Sequence, residues 1–201
     1  MEATIKPKFS DRESWLTAAA NKILSEIIMP EVGDAFPRPT FRISVGFPKH
    51  TRGAKSIAVC FVRRVSNDGV NEIFINPEID YPMQVLESVA HELIHATDDC
   101  ASGHRNYFAK TARAIGLEGK FTATYAGPAL VVKLQEYIDA LGEFPHVRMV
   151  VDSGRKKDGT RQLKVGCTEC DFIFRTSQKH IDNLMIEAPC PCCGEGYLEQ
   201  I

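Results

Sequence analysis

The sequence lacks the features that mark membrane-spanning and secreted chains. It has no uninterrupted run of about 18 or more apolar residues, and its opening stretch, MEATIKPKFSDRESW, has no apolar core of the kind found in signal peptides. These absences predict a water-soluble, cytoplasmic protein. In a reducing compartment, the seven cysteines are expected to bind metal rather than to form a disulfide framework.

Two adjacent segments each lack charge of one sign. Residues 38–64 contain seven Lys or Arg residues and no acidic residue, whereas residues 65–104 contain eight Asp or Glu residues and no Lys or Arg. The net charge of −2 excludes a globally basic nucleic-acid-binding protein. The basic segment is expected to be a solvated face, and contact with a polyanion is the alternative.

The composition is that of a folded globular protein. Apolar residues make up 44% of the 201 residues and charged residues 25%, which argues against a disordered or fibrous chain. After residue 145 the sequence becomes polar and rich in turn-forming residues. We therefore predict a first domain over residues 1–147, a linker or exposed hairpin over residues 148–160, and a small module over residues 161–201.

Hydrophobic periodicity predicts an α+β fold for the first domain. A helix over residues 11–29 is expected to end at Pro30, and three strands are expected at residues 41–47, 56–65 and 70–75. The Asn67-Asp68-Gly69 turn between the last two predicts a hairpin, so the strands are interpreted as an antiparallel meander. Further helices are predicted from about residue 80 to 97, 104 to 115 and 128 to 141.

The helix predicted to end at residue 97 carries the pattern H-E-x-x-H, at His91, Glu92 and His95. Residues four apart lie above one another on a helix, so two imidazoles can reach one metal ion while Glu92 is rotated by about 100°. Zinc at such a site lowers the pKa of its bound water, and Glu92 is positioned to act as general base in peptide hydrolysis. The motif therefore predicts a zinc metalloendopeptidase.

A catalytic zinc site needs a third protein ligand and an open fourth position. His104 follows the motif after eight intervening residues and is the predicted third ligand. This interval is longer than the five residues between the last two histidines of metzincins. Asp98 and Asp99 lie about one turn beyond His95 and are the alternatives, although they are better placed to end the helix or to contact a ligand indirectly.

The last part of the chain contains two short cysteine motifs separated by nineteen residues. Cys167 and Cys170 form one pair, and Cys190, Cys192 and Cys193 supply the other. Four thiolates close a tetrahedral zinc site and leave no position for catalysis, so we interpret the module as a structural zinc ribbon. Cys193 is the preferred partner of Cys190, and Cys192 stays open as the alternative fourth ligand.

The segment HELIHATDDCASGHRNYF, residues 91–108, resembles the SprT-like zinc metallopeptidases, the family to which the DNA–protein crosslink protease Spartan belongs. The stretch AIGLEGKFTATYAGP, residues 114–128, is similar to SprT-like proteins of bacteria and their phages. The likeness covers about residues 10–145 by element order and is specific over residues 91–108. One departure is Arg105, which stands where better-known members have a second Gly.

The resemblance implies a zincin-like minimal metalloprotease domain followed by a C-terminal zinc ribbon. It implies that His91, His95 and His104 are the ligands of a catalytic zinc and that Glu92 is the catalytic acid/base. It further implies protein substrates attached to or near DNA, with single-stranded or double-stranded DNA as a partner. The alternative is a DNA- or transcription-associated zinc-binding protein without protease activity.

Backbone pairing with an edge strand would make cleavage tolerant of substrate side chains, and residues 73–75 are the predicted edge. Tyr107 or Tyr125 is a candidate donor to the oxyanion of the tetrahedral transition state. The physiological substrate and the oligomeric state do not follow from the sequence.

Overall fold

The chain divides into two compact units, Met1–Val151 and Asp152–Ile201. A computed structural model describes residues 8–47, 56–150, 162–183 and 189–201. No helix in these ranges has the length and apolar character needed to cross a membrane. Most of the predicted linker, and the basic residues Lys49, Arg52 and Lys55, lie outside the described residues.

The first unit is a mixed helix and strand fold. Its elements in chain order are α1 (Arg12–Ile23), a π-helical segment (Leu24–Ile28), α2 (Met29–Val32), β1 (Phe41–Val45), β2 (Ala58–Phe61), β3 (Asn71–Ile75), α3 (Pro82–Thr97), α4 (Asn106–Ala114), β4 (Leu117–Lys120), β5 (Ala123–Ala126) and α5 (Pro128–Leu141). The sequence prediction of α3 and α5 is confirmed to within a residue or two at each end. The α+β class is confirmed as well.

The three-stranded sheet is not the predicted antiparallel meander. Its strand order is β1-β3-β2, with β1 parallel to β3 and β2 antiparallel to β3. The hairpin at Asn67-Asp68-Gly69 does join β2 to β3, and Gly69 adopts a positive φ of 70° there. The error concerns β1, because alternation of apolar residues shows which face a strand buries and carries no information about its neighbour.

The first helical stretch does not end at Pro30 as predicted. It passes through a π-helical turn and continues to Val32. Pro30 has no N–H to donate to the Glu26 carbonyl, four residues earlier. Lys133 of α5 supplies the missing donor, since its Nζ lies 2.9 Å from that oxygen. A local helix break is therefore avoided by a wider turn and a side chain from another helix.

The core of this unit lies where α1 and α3 pack against the sheet. Fully buried side chains include Trp15 and Leu16 of α1, Ile73 of β3 and Leu86 and Leu93 of α3. The indole Nε1 of Trp15 donates to the Gly142 carbonyl over 3.0 Å, which satisfies its polar atom at the end of α5. This core fixes α3, the helix that carries the H-E-x-x-H residues, along its apolar side.

The second unit is a small three-stranded sheet. Its strands are β6 (Gln162–Cys167), β7 (Ile173–Ser177) and β8 (Leu198–Gln200), in the order β7-β6-β8 with both pairings antiparallel, and a short helix, α6 (Gln178–Asn183), follows β7. In its described part, only Val165 and Cys190 are buried apolar residues. A core this small does not hold a domain together by itself.

Candidate metal centres and cleft

Helix α3 presents the predicted site residues on the side opposite its main packing stripe. Val85, Leu86, Val89, Leu93 and Ile94 are buried in the core, as their three-and-four spacing predicts. Pro82 opens the helix, where its missing N–H leaves no hydrogen bond unmade. The helix is thereby held in one rotation about its axis, and this rotation directs His91 and His95 into a cleft.

His104 reaches the same cleft from a loop rather than from the start of a helix, where we had predicted it. Helix α4 begins at Asn106, and residues 98–105 form a series of turns. Asp99 and Cys100 both adopt positive φ angles, 53° and 60°, and the Cys100 N–H donates to the His95 carbonyl over 2.7 Å. The Asp98 carboxylate accepts the Ser102 N–H over 3.0 Å. The chain therefore reverses tightly just after α3.

The three imidazoles converge on one point. His104 Nε2 lies 3.2 Å from His91 Nε2 and 3.3 Å from His95 Nε2. Together, these three nitrogen atoms form a group that could hold a metal ion. Neither Asp98 nor Asp99, the alternatives considered from sequence, belongs to it.

Two neighbours fix the orientation of the imidazole rings. His91 Nδ1 lies 2.8 Å from Thr124 Oγ1 of β5. His95 stacks on Phe108 of α4, with ring centroids 4.4 Å apart and an interplanar angle of 24°. When Nδ1 of His91 donates to this hydroxyl, Nε2 keeps its lone pair, which is the form that binds a metal.

Burial keeps these histidines neutral in the metal-free protein. It lowers the pKa of His91 to about 3, with added repulsion from His95 and His104. Burial and His104 likewise lower the pKa of His95 to about 4. Neutral imidazole is the ligand form, so protons compete with a metal ion for these two residues only in acid.

Glu92 is almost fully buried beside this group. Burial raises the pKa of its carboxyl to about 8, and a hydrogen bond from the backbone N–H of Cys60 on β2 opposes the rise. A carboxyl with a pKa near neutrality exchanges a proton readily in both directions. Cys60 itself is half-buried rather than a core thiol, and it borders the cleft together with Cys100.

The cleft has a volume of about 430 Å³. Besides the three histidines and Glu92, four segments border it: β2 with the stretch before it, α3, the 98–105 loop, and β5 with the turn before it. The residues that these segments contribute are Ser56, Ile57, Ala58, Val59, Cys60, Glu87, Ser88, Cys100, Gly103, Thr122, Ala123 and Thr124. The three imidazoles therefore lie in a cleft that residues of both β2 and β5 border.

Two sequence predictions about this cleft are wrong. Residues 73–75 belong to β3, the central strand of the sheet, and β2 is the edge strand that faces the cleft. Neither Tyr107 nor Tyr125 borders the cleft, and the Tyr107 hydroxyl pairs with Thr97 Oγ1 at 2.8 Å.

The β4–β5 hairpin, and with it the roles of Thr124 and Glu87, was not predicted from the sequence. Glu87 Oε1 accepts the Ala126 N–H over 2.8 Å, so two residues of α3, Glu87 and His91, contact β5. The stretch Phe121-Thr-Ala-Thr-Tyr alternates large or β-branched residues in the manner of a short strand. That alternation was the available signal, but the strand is only four residues long.

A second group of possible metal ligands lies in the second unit. Sγ of Cys167 is 3.7 Å from Sγ of Cys193, and Sγ of Cys170 is 3.7 Å from Sγ of Cys190. All four sulfur atoms lie within 4.8 Å of one another. Cys192 is exposed and is not part of the group.

Backbone N–H groups point at these sulfur atoms. Those of Glu169, Cys192 and Gly196 lie 3.3, 3.4 and 3.4 Å from Sγ of Cys167, Cys190 and Cys193, respectively. Such donors stabilise thiolate over thiol. In Cys193 the N–H of Gly196 is the largest cause of a pKa lowered to about 7.

The described cations of the basic segment are largely occupied within the protein. Arg42 bonds to Asp68 and Glu72, and Arg63 lies 3.6 Å from Asp99. Arg38 donates to Ser25 Oγ over 2.9 Å. These contacts favour the interpretation of this segment as a solvated, internally neutralised face.

Searches of the chain against models of known protein families, curated proteins and solved structures return no match.

Proposed function

We propose that this chain is a zinc-dependent endopeptidase of the SprT-like type, with a catalytic zinc at His91, His95 and His104 and with Glu92 as general base. The observation that carries the proposal is the convergence of three imidazole Nε2 atoms beside a buried carboxyl in an open cleft. Three neutral nitrogen ligands with a carboxyl that does not join them are the donor set of a catalytic rather than a structural zinc.

The two spacings from His104 Nε2 fit zinc, and all three ligand nitrogens lie within 4.8 Å of one another. A tetrahedral ion with Zn–N bonds of ~2.0–2.1 Å holds its nitrogen ligands ~3.3–3.4 Å apart. The measured distances from His104 Nε2 are 3.2 and 3.3 Å. Three protein ligands leave the fourth position of such an ion for water or substrate, and the cleft gives access to it.

The four cysteines fit a structural zinc by the same test. Zn–S bonds of ~2.3 Å give sulfur–sulfur distances of ~3.8 Å in a tetrahedron, compared with 3.7 Å for each of the two measured pairs. The small apolar core of the second unit supports this role, since metal binding would supply the folding free energy that burial does not. We propose Cys167, Cys170, Cys190 and Cys193 as its ligands.

Glu92 and Cys60 have defined roles in the proposed reaction. Bound zinc would polarise the scissile carbonyl and lower the pKa of water at the site. Glu92 accepts a proton from that water and later donates it to the leaving amine. The Cys60 N–H donates to the Glu92 carboxylate, and bound zinc would lower the pKa of that carboxyl from its raised value in the metal-free protein, which favours the proton-accepting form.

The substrate is proposed to lie extended along β2. The Asn76 N–H donates to the Ile57 carbonyl, so in the antiparallel ladder Ile57 and Val59 direct their backbone groups toward β3. Ala58 and Cys60 then point theirs outward, toward the cleft, in agreement with the Cys60 N–H to Glu92 contact. Pairing of a substrate backbone with the outward Ala58 N–H makes recognition independent of side-chain identity.

Glu92→Gln tests the proposal. We expect the purified variant to retain about two zinc ions per chain and to lose cleavage of casein by ~10²-fold or more, because the base is gone while the ligands stay. Glu31→Gln, at an exposed position on α2, is the matched control. In the wild type, activity should disappear with a chelator and return with zinc.

Two outcomes contradict the proposal. A Glu92→Gln variant that cleaves casein at the wild-type rate removes the assigned base. A wild type that binds two zinc ions yet cleaves nothing, with or without DNA, favours instead a zinc-binding protein associated with DNA or transcription. Running the assay with single-stranded and double-stranded DNA also tests the substrate class that the SprT-like resemblance implies.

A further inference from the structure

Two side chains of α3 hold strand β5 along the metal-site helix. Glu87 Oε1 accepts the Ala126 N–H, and His91 Nδ1 bonds to Thr124 Oγ1, each over 2.8 Å. The two α3 residues are one helical turn apart, and the two β5 residues are two apart. Their separations match, because four helical residues advance ~6.0 Å and two strand residues ~6.6–6.8 Å.

The direction of the β5 backbone groups follows from the β4–β5 ladder. The Gly127 N–H donates to the Gly116 carbonyl over 2.8 Å, and the register pairs Leu117 with Ala126. By the alternation of an antiparallel ladder, the N–H of Ala126 points away from β4. Ala126 is buried, so without Glu87 its N–H would lose its partner in a place where water is scarce.

The hairpin has little freedom to adopt another register. A side chain at Gly119 would meet the ring of Tyr125 at 2.8 Å, and one at Gly127 would meet the carboxylate of Glu118 at 2.4 Å. Gly119 also has a φ of 88°, which favours glycine. A slip of one residue along the strand would turn the Thr124 side chain to the opposite face.

We propose that Glu87 is a positioning residue of the metal site. By accepting the Ala126 N–H, it sets β5 against α3. The Thr124 hydroxyl is then placed to accept a hydrogen bond from His91 Nδ1, and this bond keeps His91 Nε2 directed at the metal. This inference rests on the proposed zinc site. It does not require the chain to be a peptidase.

Zinc affinity in a competition with a chromophoric chelator tests this role. Glu87→Ala removes the acceptor, and we expect about 10-fold weaker binding at the histidine site, within the range found when partners of ligating histidines are lost. Glu87→Gln keeps an amide oxygen for the Ala126 N–H, so it should restore affinity to within about 2–3-fold of wild type. If Glu87→Gln restores zinc affinity, the hydrogen bond to Ala126, and not the negative charge of Glu87, is what supports binding.

A double-mutant cycle tests whether Glu87 acts through Thr124. Thr124→Val removes the hydroxyl, and we expect zinc binding about 10–100-fold weaker. If Glu87 works by placing that hydroxyl, Glu87→Ala with Thr124→Val should be no weaker than Thr124→Val alone. Cobalt(II) distinguishes the two sites, because only the four-cysteine site gives thiolate-to-metal absorption.

Gln84→Ala is the control, since Gln84 lies on α3 one turn before Ser88 and outside the cleft. It should leave the affinity unchanged. Equal losses for Glu87→Gln and Glu87→Ala, or additive losses in the double variant, overturn the positioning role. No metal at the histidine site of the wild type overturns both this role and the proposed function. The expected affinities in a protein without peptidase activity uphold the role and overturn only the function.

Discussion

The side-chain amide of Asn71 donates to the Asp99 carboxylate over 2.9 Å, which links the central strand of the sheet to the loop that carries His104. The same carboxylate oxygen accepts the Arg63 N–H over 2.8 Å. Asn71 is fully buried on β3, and its amide also donates to the Phe61 carbonyl over 3.0 Å. The end of β2, the start of β3 and the 98–105 loop thus meet at one buried amide.

Asn71→Ala should destabilise the first unit by about 1–3 kcal/mol, because it removes the two hydrogen bonds that a fully buried amide donates to the Phe61 carbonyl and the Asp99 carboxylate. The measurement is urea-induced unfolding followed by tryptophan fluorescence, since the only tryptophan, Trp15, lies in the core of this unit. Asn67→Ala, at an exposed turn position, should change the free energy of unfolding by less than about 0.5 kcal/mol. Equal changes in the free energy of unfolding for the two substitutions would contradict a stabilising role of the buried Asn71 amide.

Periodicity predicted the parts of this fold that are determined locally. The apolar stripe of α3 specifies a helix, and the helix alone brings His91 and His95 to one side. The Gly69 turn likewise specifies that β2 and β3 pair. In each case the information lies within fewer than about twenty neighbouring residues, which is the range over which side-chain spacing determines backbone shape.

The features that sequence reasoning missed depend on tertiary contacts. The partner of β1 is set by the packing of α1 and the sheet, which leaves no local trace. The helical path through Pro30 depends on Lys133, about a hundred residues away. Thr124 contacts His91, and Ala126 contacts Glu87, across more than thirty residues of sequence, where β5 lies beside α3. Long-range pairing of this kind decides among backbones that local patterns permit equally.

The metal-free protein should show a pH-dependent effect of Glu92→Gln on stability. The pKa of Glu92 is raised by burial from 4.5 to about 8, so between these pH values the folded state binds more protons at this site than the unfolded state. The contribution of Glu92 to stability is therefore present at low pH and is lost as the pH rises through this window. Gln does not titrate, so the variant escapes the loss.

Chelator-treated Glu92→Gln should accordingly gain stability over chelator-treated wild type as the pH rises from 5 to 8, by about 2–4 kcal/mol. The histidines titrate in both proteins, so their contributions to the free energy of unfolding cancel when the variant is compared with the wild type. Urea unfolding at the two pH values measures it, with Glu31→Gln as a control that should show no such trend. A difference between variant and wild type that is the same at both pH values would mean that Glu92 titrates normally.

The two adjacent cysteines of the second unit should behave differently when replaced by serine. Cys193 Sγ lies 3.7 Å from Cys167 Sγ, whereas Cys192 lies outside the four-sulfur group and contributes its backbone N–H to Cys190 Sγ. Serine keeps that N–H. We expect Cys192→Ser to retain about two zinc ions per chain by elemental analysis and Cys193→Ser to retain about one. The reverse result would exchange the roles of the two residues.

Proline substitutions on β2 test where substrate pairs. Val59 directs its N–H toward β3, so Val59→Pro should remove a ladder hydrogen bond and lower the free energy of unfolding by about 1–3 kcal/mol. Ala58 directs its N–H into the cleft, at an edge where proline is tolerated. Ala58→Pro should therefore fold and bind zinc as the wild type does.

Cleavage should nevertheless respond to Ala58→Pro, because the substrate loses a backbone donor on the strand beside Glu92. A hydrogen bond of about 1–1.5 kcal/mol corresponds to a decrease of roughly 5–12-fold in kcat/KM. The comparison uses one peptide substrate and protein preparations with matched zinc content, so that a change in metal binding does not enter the rate. If Ala58→Pro cleaves as fast as wild type while Glu92→Gln is inactive, the peptidase assignment holds and the substrate must pair elsewhere. The outward edge of β5, at Thr124, is then the remaining strand that borders the cleft.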